Sequence, residues 1–257
     1  MDQLAPGSLA SIRQVRIGGL RIAVLDTAAT ADLMIAQSGL RLGFPLFFTS
    51  ANGEVLSRCD SDPYVADLFE AAHLISADGE PLVRASRLFT HDPLPERVAT
   101  TDLFHEVARR AEIAGRSFYF FGASAAENKA AVDRVRQLYP RLIIAGASHG
   151  YLQGDALRDK LKEIDAAAPD ILWLALGVPR EQIFVRHFSC ALTNVGLIKT
   201  SGGLFNFLSG SRRRAPAWMQ RGSLEWAWRT ALEPRRLFWR YATTNPHAIF
   251  LMMTRSG

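Results

Sequence analysis

The sequence predicts an α/β protein with a mostly parallel, Rossmann-like sheet flanked by helices and a helical, arginine-rich C-terminal appendage. Short apolar runs alternate with helical patterns of about 10 to 15 residues, which is typical of βαβ units around a parallel sheet. Small glycine-bearing turns follow these runs, and arginine is concentrated after residue 210. We therefore expect an α/β core over residues 1–208 and a basic, aromatic appendage over residues 209–257.

The first part of the chain is predicted to open with a hairpin and then to alternate helices and strands. The stretch VRIGGLRIAVLD indicates two strands turned at Gly18-Gly19, because glycines permit the backbone angles of tight turns. The predicted elements that follow are a helix over 27–40, a strand over 44–50, a helix over 51–72 interrupted near Asp62-Pro63, and a strand that ends before Asp78.

The remainder of the core continues the same alternation, without an internal repeat or a low-complexity segment. Apolar, β-branched or aromatic runs mark the strands, and polar stretches with helical periodicity separate them. The predicted helices cover 102–114, 125–138, 154–167 and 181–188, and the predicted strands cover 117–122, 141–147, 170–177 and 194–200.

Composition restricts the class of protein. The 257 residues are 48% apolar, which is enough for one large globular domain or two small ones and excludes a disordered chain. The longest apolar runs, such as 169–178, are shorter than the roughly 20 residues that span a bilayer, and the N-terminus lacks a secretion-signal pattern. We expect a cytoplasmic protein in which Cys59 and Cys190 are structural thiols.

Glycine-bearing polar loops follow six of the predicted strands. Because the carboxyl ends of parallel strands lie at one edge of a sheet, these loops should converge and favour a nucleotide-sized pocket. The turn at Gly122 enters a helix whose backbone N–H groups can hold a phosphate, although a plain strand-to-helix turn fits equally well. Gly202 and Gly203 permit either close approach to a ligand or tight packing. The loops are SANGE, ADGEP, GASAAEN, SHGY, GVPREQ and SGGLFN.

Asp78 follows a predicted strand and precedes a glycine. A carboxylate in this position can act as a general base, bind a ribose, cap the next helix or hold a metal ion. The other loops at this edge supply no acids and histidines at metal-ligand spacing, so a metal centre is disfavoured. His149 is the one histidine on a predicted loop of this edge, and we expect a structural role for it.

The C-terminal segment is strongly basic. After residue 210 the chain has nine arginines and two acids, so this segment carries a net charge of +7 while the whole chain carries +5. Interleaved aromatic residues suit phosphate groups, lipid headgroups or single-stranded nucleic acid, and a solvated basic face is the alternative. On a continuous helix Arg229, Arg236 and Arg240 would share one face, but Pro234 breaks or restarts such a helix.

Taken in order, these motifs resemble those of the WecG/TagA/CpsF glycosyltransferases of bacterial surface-polysaccharide synthesis. The resemblance extends over nearly the whole chain, and its specificity comes from the ordered combination of motifs. The matching stretches are SANGE, ADGEPLV, RVATTDL, FFGAS, HGY, GVPREQ, GGLFNFLSG and RAPAW…LEWAWR…EPRRLFWRY.

The resemblance implies an inverting transfer of a hexose or N-acetylhexosamine from a UDP-sugar to a polyprenyl-diphosphate-linked saccharide, with no cofactor and no required metal. It implies that Asp78 is the general base and that Ser50 lies near it at the catalytic centre. The implied substrate-binding residues are Asn52, Arg97, Asp102, Gly122, His149, Gly150, Tyr151, Gln182, Gly202, Gly203 and Asn206. The implied contacts to the lipid diphosphate or the membrane are Arg214, Arg229, Arg236 and Arg240.

The implied partners are the UDP-sugar donor, the lipid-linked acceptor and the inner surface of the cytoplasmic membrane. A protein without a membrane span would meet that surface peripherally, where each basic residue near anionic lipid contributes about 1 kcal/mol. A homo-oligomer is compatible with the resemblance. Nucleic acid is not an expected partner, because the basic residues occupy one terminal segment and the core has no basic stripe.

Four features depart from the family's motifs. Thr100 stands where glycine is usual, Asn206 where aspartate is usual, and Trp239 where an arginine is expected. Glu181 and Gln182 stand in reversed order, which leaves open which of the two has the polar role. These changes suggest a divergent subgroup with a different donor or acceptor. The competing hypotheses are a nucleotide-sugar-binding protein without turnover and a nucleic-acid-binding module that uses the C-terminal segment.

Overall fold

The computed structural model describes residues 9–257 except residues 213, 217, 220, 221 and 223, and the side chain of Arg236 also lies outside the described residues. The strands are β1 (Gln14–Ile17), β2 (Leu20–Ala23), β3 (Leu46–Ala51), β4 (Leu74–Ala77), β5 (Ser117–Gly122), β6 (Ile143–Ser148), β7 (Ile171–Ala175) and β8 (Leu197–Thr200). The helices are α1 (Thr27–Ser38), α2 (Gly53–Ser61), α3 (Pro63–Glu70), α4 (Glu80–Phe89), α5 (Thr100–Ala114), α6 (Ala125–Leu138), α7 (Gly154–Ala167), α8 (Arg180–Phe188), α9 (Leu204–Leu208), α10 (Glu225–Leu232) and α11 (Pro234–Thr254).

The predicted fold class, a helix-flanked and mostly parallel sheet, is confirmed. Six strands form one sheet in the order β4-β3-β8-β7-β5-β6, and β3, β8, β7, β5 and β6 pair in parallel. Strands β1 and β2 form the predicted hairpin, an antiparallel pair in which Ile17 lies opposite Leu20. The turn between them uses Gly18 and Gly19, both with positive φ, as their sequence indicates.

The described residues divide into two compact units. The described residues of the hairpin unit lie within 9–27, 50–99 and 214–257, and the unit therefore contains β1, β2, β4, α2–α4, α10 and α11. The sheet unit comprises Ala28–Thr49 and Thr100–Arg213. Strand β3 passes from one unit to the other, because its last two residues, Ser50 and Ala51, belong to the hairpin unit. The functional division after residue 208 remains a prediction.

Aromatic residues form the core of the sheet unit. Phe104 on α5 packs edge to face on Trp173 of β7, with ring centroids 4.9 Å apart, and on Phe118 and Phe120 of β5. All four side chains are buried. Edge-to-face pairs of this kind add to the free energy gained from apolar burial, so this cluster fixes α5 on the sheet and with it the loops at the ends of the strands.

Helix α4 is missing from the sequence prediction. It begins directly after Gly79 and has a proline in its first turn, which in a sequence resembles the start of a loop. Proline is tolerated there because the first N–H groups of a helix have no intrahelical partner. Leu82, Val83 and Ala85 are buried on one side of the helix, and this burial outweighs the weak local signal.

The C-terminal helices pack within the hairpin unit. Helix α10 ends at Leu232, Glu233 has extended φ, and Pro234 starts α11, so the continuous helix on which Arg229, Arg236 and Arg240 would share a face does not form. A Cβ on Gly53 would lie 3.2 Å from Cβ of Ala248, which shows how closely α11 approaches the start of α2.

Both cysteines are free thiols. Burial, reinforced by the carboxylates of Asp62 and Glu70, raises the pKa of Cys59 to about 12. A thiol with so high a pKa is not a nucleophile at neutral pH. This environment agrees with the structural role predicted for Cys59.

Candidate active site

Asp78 lies directly after β4, whose four residues are all buried. Its backbone N–H donates to the carbonyl oxygen of Ala51 at 2.8 Å, and the carbonyl oxygen of Ala77 accepts from Val98 N–H at 2.8 Å. Backbone hydrogen bonds therefore fix this strand end on both sides. The carboxylate is nevertheless 23% exposed, so a substrate can reach it.

Arg97 is a cation beside Asp78. Its Nη2 donates to Oδ1 of Asp78 at 3.2 Å, and its Nη1 pairs with Oε2 of Glu225 on α10 at 2.7 Å. Burial lowers the pKa of Arg97, but the carboxylates of Asp78 and Glu225 outweigh burial and raise that pKa above its ordinary value. The guanidinium is therefore a permanent positive charge against the candidate base.

Ser50 and Asn52 lie at the end of β3, in the same unit as Asp78. Asn52 is the N-cap of α2, and its side-chain oxygen accepts from Val55 N–H at 3.1 Å. A Cβ on Gly79 would lie 3.4 Å from Cβ of Asn52. The loops that follow β3 and β4 are thus in contact, as expected for neighbouring strand ends.

Asp78 does not cap the helix that follows it. The N-cap of α4 is Gly79, and this position has no side-chain cap hydrogen bond. Across residues 9–257, apart from the gaps given above, no three His, Cys, Asp or Glu side chains are arranged to hold a metal ion. The ion pair with Arg97 instead holds the Asp78 carboxylate in one orientation.

The C-terminal arginines differ in their surroundings. Arg240 pairs with Oε2 of Glu54 at 3.2 Å, donates to the hydroxyl of Tyr241 at 3.0 Å, and places its guanidinium 4.7 Å from that ring's centroid. Arg214 and Arg229 are half-buried in the same unit. Of Arg236 only its place on α11 is described.

In the sheet unit, the loop after β5 starts helix α6. A Cβ on Gly122 would lie 2.2 Å from the carbonyl oxygen of Ala175, so a glycine is required there. Ser124 and Glu127 form a capping box, and Nδ2 of Asn206 donates to the same Glu127 carboxylate. Because the N–H groups of Ser124 and Glu127 already bond within the protein, phosphate binding at this helix start remains a prediction.

Glu181 joins two glycine loops of the sheet unit. Its Oε2 accepts from the backbone N–H of Gly177 at 3.3 Å and of Gly202 at 3.0 Å, and both glycines have positive φ. The residue is only 3% exposed. Burial raises its pKa to about 7, against the opposing effects of the Gly202 N–H and of Lys199.

Gln182 reaches the ends of β3 and β8. Its Nε2 donates to the hydroxyl of Thr49 at 3.2 Å, and Thr200 donates to the same hydroxyl at 2.7 Å. Its Oε1 is buried and has no hydrogen-bond partner among the described residues. Buried carbonyl oxygens usually have a partner, so an unpaired Oε1 at this position is unusual.

The remaining predicted site residues also lie in the sheet unit. Nδ1 of His149 accepts from Tyr151 N–H at 3.2 Å, and the Tyr151 side chain is exposed. A Cβ on Gly150 would lie 3.0 Å from Cα of Gly122, so these two loops touch. Asp102 is in the first turn of α5, where a negative charge is favourable to the helix. Gly203 is the N-cap of α9.

Comparison with known proteins shows the family to which the chain belongs. A sequence model described as the Glycosyl transferase WecG/TagA/CpsF family matches residues 15–256. The chain belongs to this family of glycosyltransferases. The resemblance inferred from the motifs is therefore confirmed, and so is the enzyme class.

Three relatives of the transferase are named N-acetylglucosaminyldiphosphoundecaprenol N-acetyl-beta-D-mannosaminyltransferase. The protein from Bacillus subtilis (strain 168) is 34% identical over 201 residues, which cover 77% of this chain and 75% of that protein. The protein from Bacillus spizizenii (strain ATCC 23059 / NRRL B-14472 / W23) is 32% identical, with 78% and 76% covered. The protein from Staphylococcus aureus (strain MRSA252) is 26% identical, with 75% and 74% covered.

Two departures of the transferase from its family's motifs have a structural explanation. Asn206 donates to Glu127, whereas an aspartate at that position would place a second carboxylate against the first. Glu181 bonds to the glycine loops, while Gln182 bonds to Thr49 and keeps an unpaired oxygen. Nothing in the structure explains Thr100 or Trp239.

Glu181 leads to a prediction about stability. The folded transferase holds the Glu181 proton more tightly than the unfolded chain does, because the pKa is about 7 instead of 4.5. The free energy of unfolding should therefore fall as pH rises through this window. Glu181→Gln has no titrating group at this position and should lack this pH dependence. Between about pH 5 and pH 8 in urea melts, the free energy of unfolding of the wild type should therefore fall by about 2 kcal/mol relative to that of the variant. If the free energies of unfolding of the two proteins changed in parallel with pH, this prediction would be wrong.

Glu225 is a residue of the candidate site that sequence motifs alone do not single out. It is one of two acids in a segment otherwise rich in arginine, and it lies inside the matched motif LEWAWR. An isolated acid in a basic segment is a usable signal, because it indicates a specific positive partner. The identity of that partner, Arg97, depends on tertiary packing.

Proposed function

We propose that the protein transfers a hexose or N-acetylhexosamine from a UDP-sugar to a polyprenyl-diphosphate-linked saccharide in cell-surface polysaccharide or exopolysaccharide synthesis. The transfer inverts the anomeric configuration and requires no metal. The observation that carries the proposal is the partly exposed Asp78 carboxylate paired with Arg97 at the end of β4. The relatives' names support a lipid-diphosphate acceptor and favour N-acetylmannosamine as the first donor sugar to test.

The proposed step is a direct displacement with Asp78 as the base. Asp78 takes the proton from the acceptor hydroxyl while that oxygen bonds to the anomeric carbon of the donor. The bond from that carbon to the diphosphate oxygen breaks on the opposite face, and UDP leaves with the electron pair. The β linkage in the relatives' names is the product that such an inversion forms from an α-linked nucleotide sugar.

Positive charge is needed where UDP leaves. Donors aimed at developing negative charge are a large source of rate enhancement, and arginines bind phosphates with two N–H groups at once. We assign this role to Arg97. The proposed role of Arg214, Arg229, Arg236 and Arg240 is contact with the lipid diphosphate or the membrane. Metal independence is the part of the proposal that follows from the family resemblance, and transfer in EDTA is its test.

The glycine loops of the sheet unit are the proposed donor site. The unpaired Oε1 of Gln182 can accept a hydrogen bond from a sugar or base, and Glu181 keeps the loops at Gly177 and Gly202 in place. His149, Gly150 and Tyr151 supply a third loop, which touches the turn at Gly122. A nucleotide held there would explain why glycine recurs in these turns.

The acceptor implies a peripheral contact with the cytoplasmic membrane. Within the described residues, no helix is both long enough and apolar enough to cross a bilayer. Helix α11 instead exposes large apolar side chains beside the arginines, a combination that favours binding in the plane of an interface. The exposed residues are Phe238, Trp239, Ile249, Phe250 and Met253.

Vesicle binding tests this contact. The double variant Trp239→Ser with Phe250→Ser should bind anionic vesicles at least 10-fold more weakly, because each large side chain contributes about 1.5 to 3 kcal/mol when it enters the interface. Ile113→Ser removes a comparably exposed apolar residue from α5 and should have no effect. Binding should also weaken in high salt. Equal binding by all three proteins would contradict the assignment to α11.

Product analysis tests the proposed function as a whole. The protein is incubated in EDTA with a panel of UDP-hexoses and UDP-N-acetylhexosamines and a synthetic polyprenyl-diphosphate-linked N-acetylglucosamine. Mass spectrometry should find a lipid product enlarged by one sugar, and the anomeric NMR coupling should show inversion. Donor binding without lipid product for any sugar would instead favour the nucleotide-sugar-binding hypothesis.

A further inference from the structure

Arg97 is shared by two carboxylates that come from distant parts of the chain. Asp78 follows β4, whereas Glu225 is the first residue of α10 in the C-terminal segment, and all three residues belong to the hairpin unit. Their side chains are only 18% to 23% exposed. Solvent therefore screens these charges less than it screens an ordinary surface pair.

The planar guanidinium of Arg97 couples its contact with Glu225 to its contact with Asp78. Nη1 meets Glu225 at 2.7 Å and Nη2 meets Asp78 at 3.2 Å, so the contact to Glu225 is the shorter one. Nε is buried and has no hydrogen-bond partner in the described part of the chain. Because the guanidinium is a rigid plane, the carboxylate that holds Nη1 also determines where Nη2 lies.

The charges of the three groups also depend on one another. One guanidinium faces two carboxylates, and both carboxylates raise its pKa. If Glu225 lost its charge, Arg97 could turn its whole fork toward Asp78 and engage both oxygens, as arginine and carboxylate commonly do. An aspartate held in that way would be a poor acceptor of the substrate's proton.

We propose that Glu225 is a positioning residue that holds Arg97 in an orientation which leaves Asp78 able to accept the proton of the incoming hydroxyl. This inference rests on the proposed function, because it assumes that Asp78 is the base. It also means that α10, through Glu225, helps to orient the base, a role distinct from lipid contact. The C-terminal segment must be seated, with Glu225 on Arg97, before the base is correctly oriented.

The central experiment replaces Glu225 with glutamine and with aspartate in the full-length chain. Glu225→Gln should lower kcat about 10- to 100-fold with little change in donor KM, since a small misplacement of a reacting group has effects of this size. Glu225→Asp keeps the charge and should recover part of the loss. A full-rate Glu225→Gln enzyme would overturn the inference.

A double-variant cycle separates positioning from a structural role. If Glu225 acts through Arg97, adding Glu225→Gln to Arg97→Gln should lower the single-turnover rate no further. A loss of the same size in both backgrounds would overturn the proposal. Asp60→Asn is the matched control, because Asp60 ties α11 through His247 and Arg255 without touching Arg97. It should lower the melting temperature but keep kcat within about twofold.

The test also separates this inference from the proposed function. If Asp78→Asn is inactive while Glu225→Gln keeps full activity, the base assignment stands and the positioning role falls. If Asp78→Asn keeps full activity, the assignment of the base is wrong regardless of the behaviour of Glu225.

Discussion

An Asp78→Asn variant is expected to transfer sugar about 10³-fold more slowly than the wild type, within the range reported for the loss of a general base. Asparagine has nearly the same shape but cannot take the proton of the acceptor hydroxyl. The backbone hydrogen bond from residue 78 to Ala51 does not depend on the side chain, so the fold should persist. The readout is kcat with saturating donor and acceptor, together with the donor Kd from calorimetry.

The donor Kd should change less than about threefold, because the proposed donor loops lie in the sheet unit and do not include Asp78. Asp92→Asn is the control, since it removes an exposed carboxylate that pairs with Arg13 in the same unit as Asp78. Its rate should match the wild type. An Asp78→Asn enzyme within tenfold of the wild-type rate would remove Asp78 from the role of base.

Arg97→Gln should have the second largest effect, a loss of about 10²-fold or more in kcat. The change removes a cation proposed to face the leaving diphosphate and also removes the group that orients the Asp78 carboxylate. It leaves the partly buried carboxylates of Asp78 and Glu225 without their shared guanidinium, so the free energy of unfolding should fall by about 2 kcal/mol. The readouts are kcat and a urea melt.

Arg97→Lys distinguishes the effect of the positive charge from that of the planar guanidinium. Lysine keeps the charge but lacks the planar fork that meets two carboxylates at once. Its stability should lie between those of the wild type and Arg97→Gln, while its kcat should stay close to that of Arg97→Gln. Full activity in the lysine variant would mean that charge alone suffices and that the two-carboxylate geometry has no part in catalysis.

Much of the fold could be predicted from sequence because local signals and tertiary packing agree in most elements. Helices α6 and α7 have the predicted bounds, and α6 begins with a capping box that SAAE makes visible. Helix α4 was missed because its amphipathic face is short and its first turn contains proline. The packing of Ala248 near Gly53 was equally invisible, since it depends on the path of the chain.

The site could be predicted only in part. A strand-end aspartate and glycine loops are local patterns, so Asp78, Gly122 and Gly202 were visible from the sequence. The Arg97–Glu225 pair and the contact of Glu181 with Gly202 join residues far apart in the chain. The basic character of the C-terminal segment is visible in the sequence, but the pairing of Arg240 with Glu54 and its contact with the Tyr241 ring depend on tertiary packing.

The most direct test of the account compares wild type and Asp78→Asn side by side for UDP release in EDTA, with and without a synthetic polyprenyl-diphosphate-linked acceptor. The account predicts fast release by the wild type only when acceptor is present, and almost none by the variant. Equal acceptor-dependent release by both proteins would contradict the role of Asp78. Release that stops in EDTA and returns with a divalent cation would contradict a metal-independent transfer.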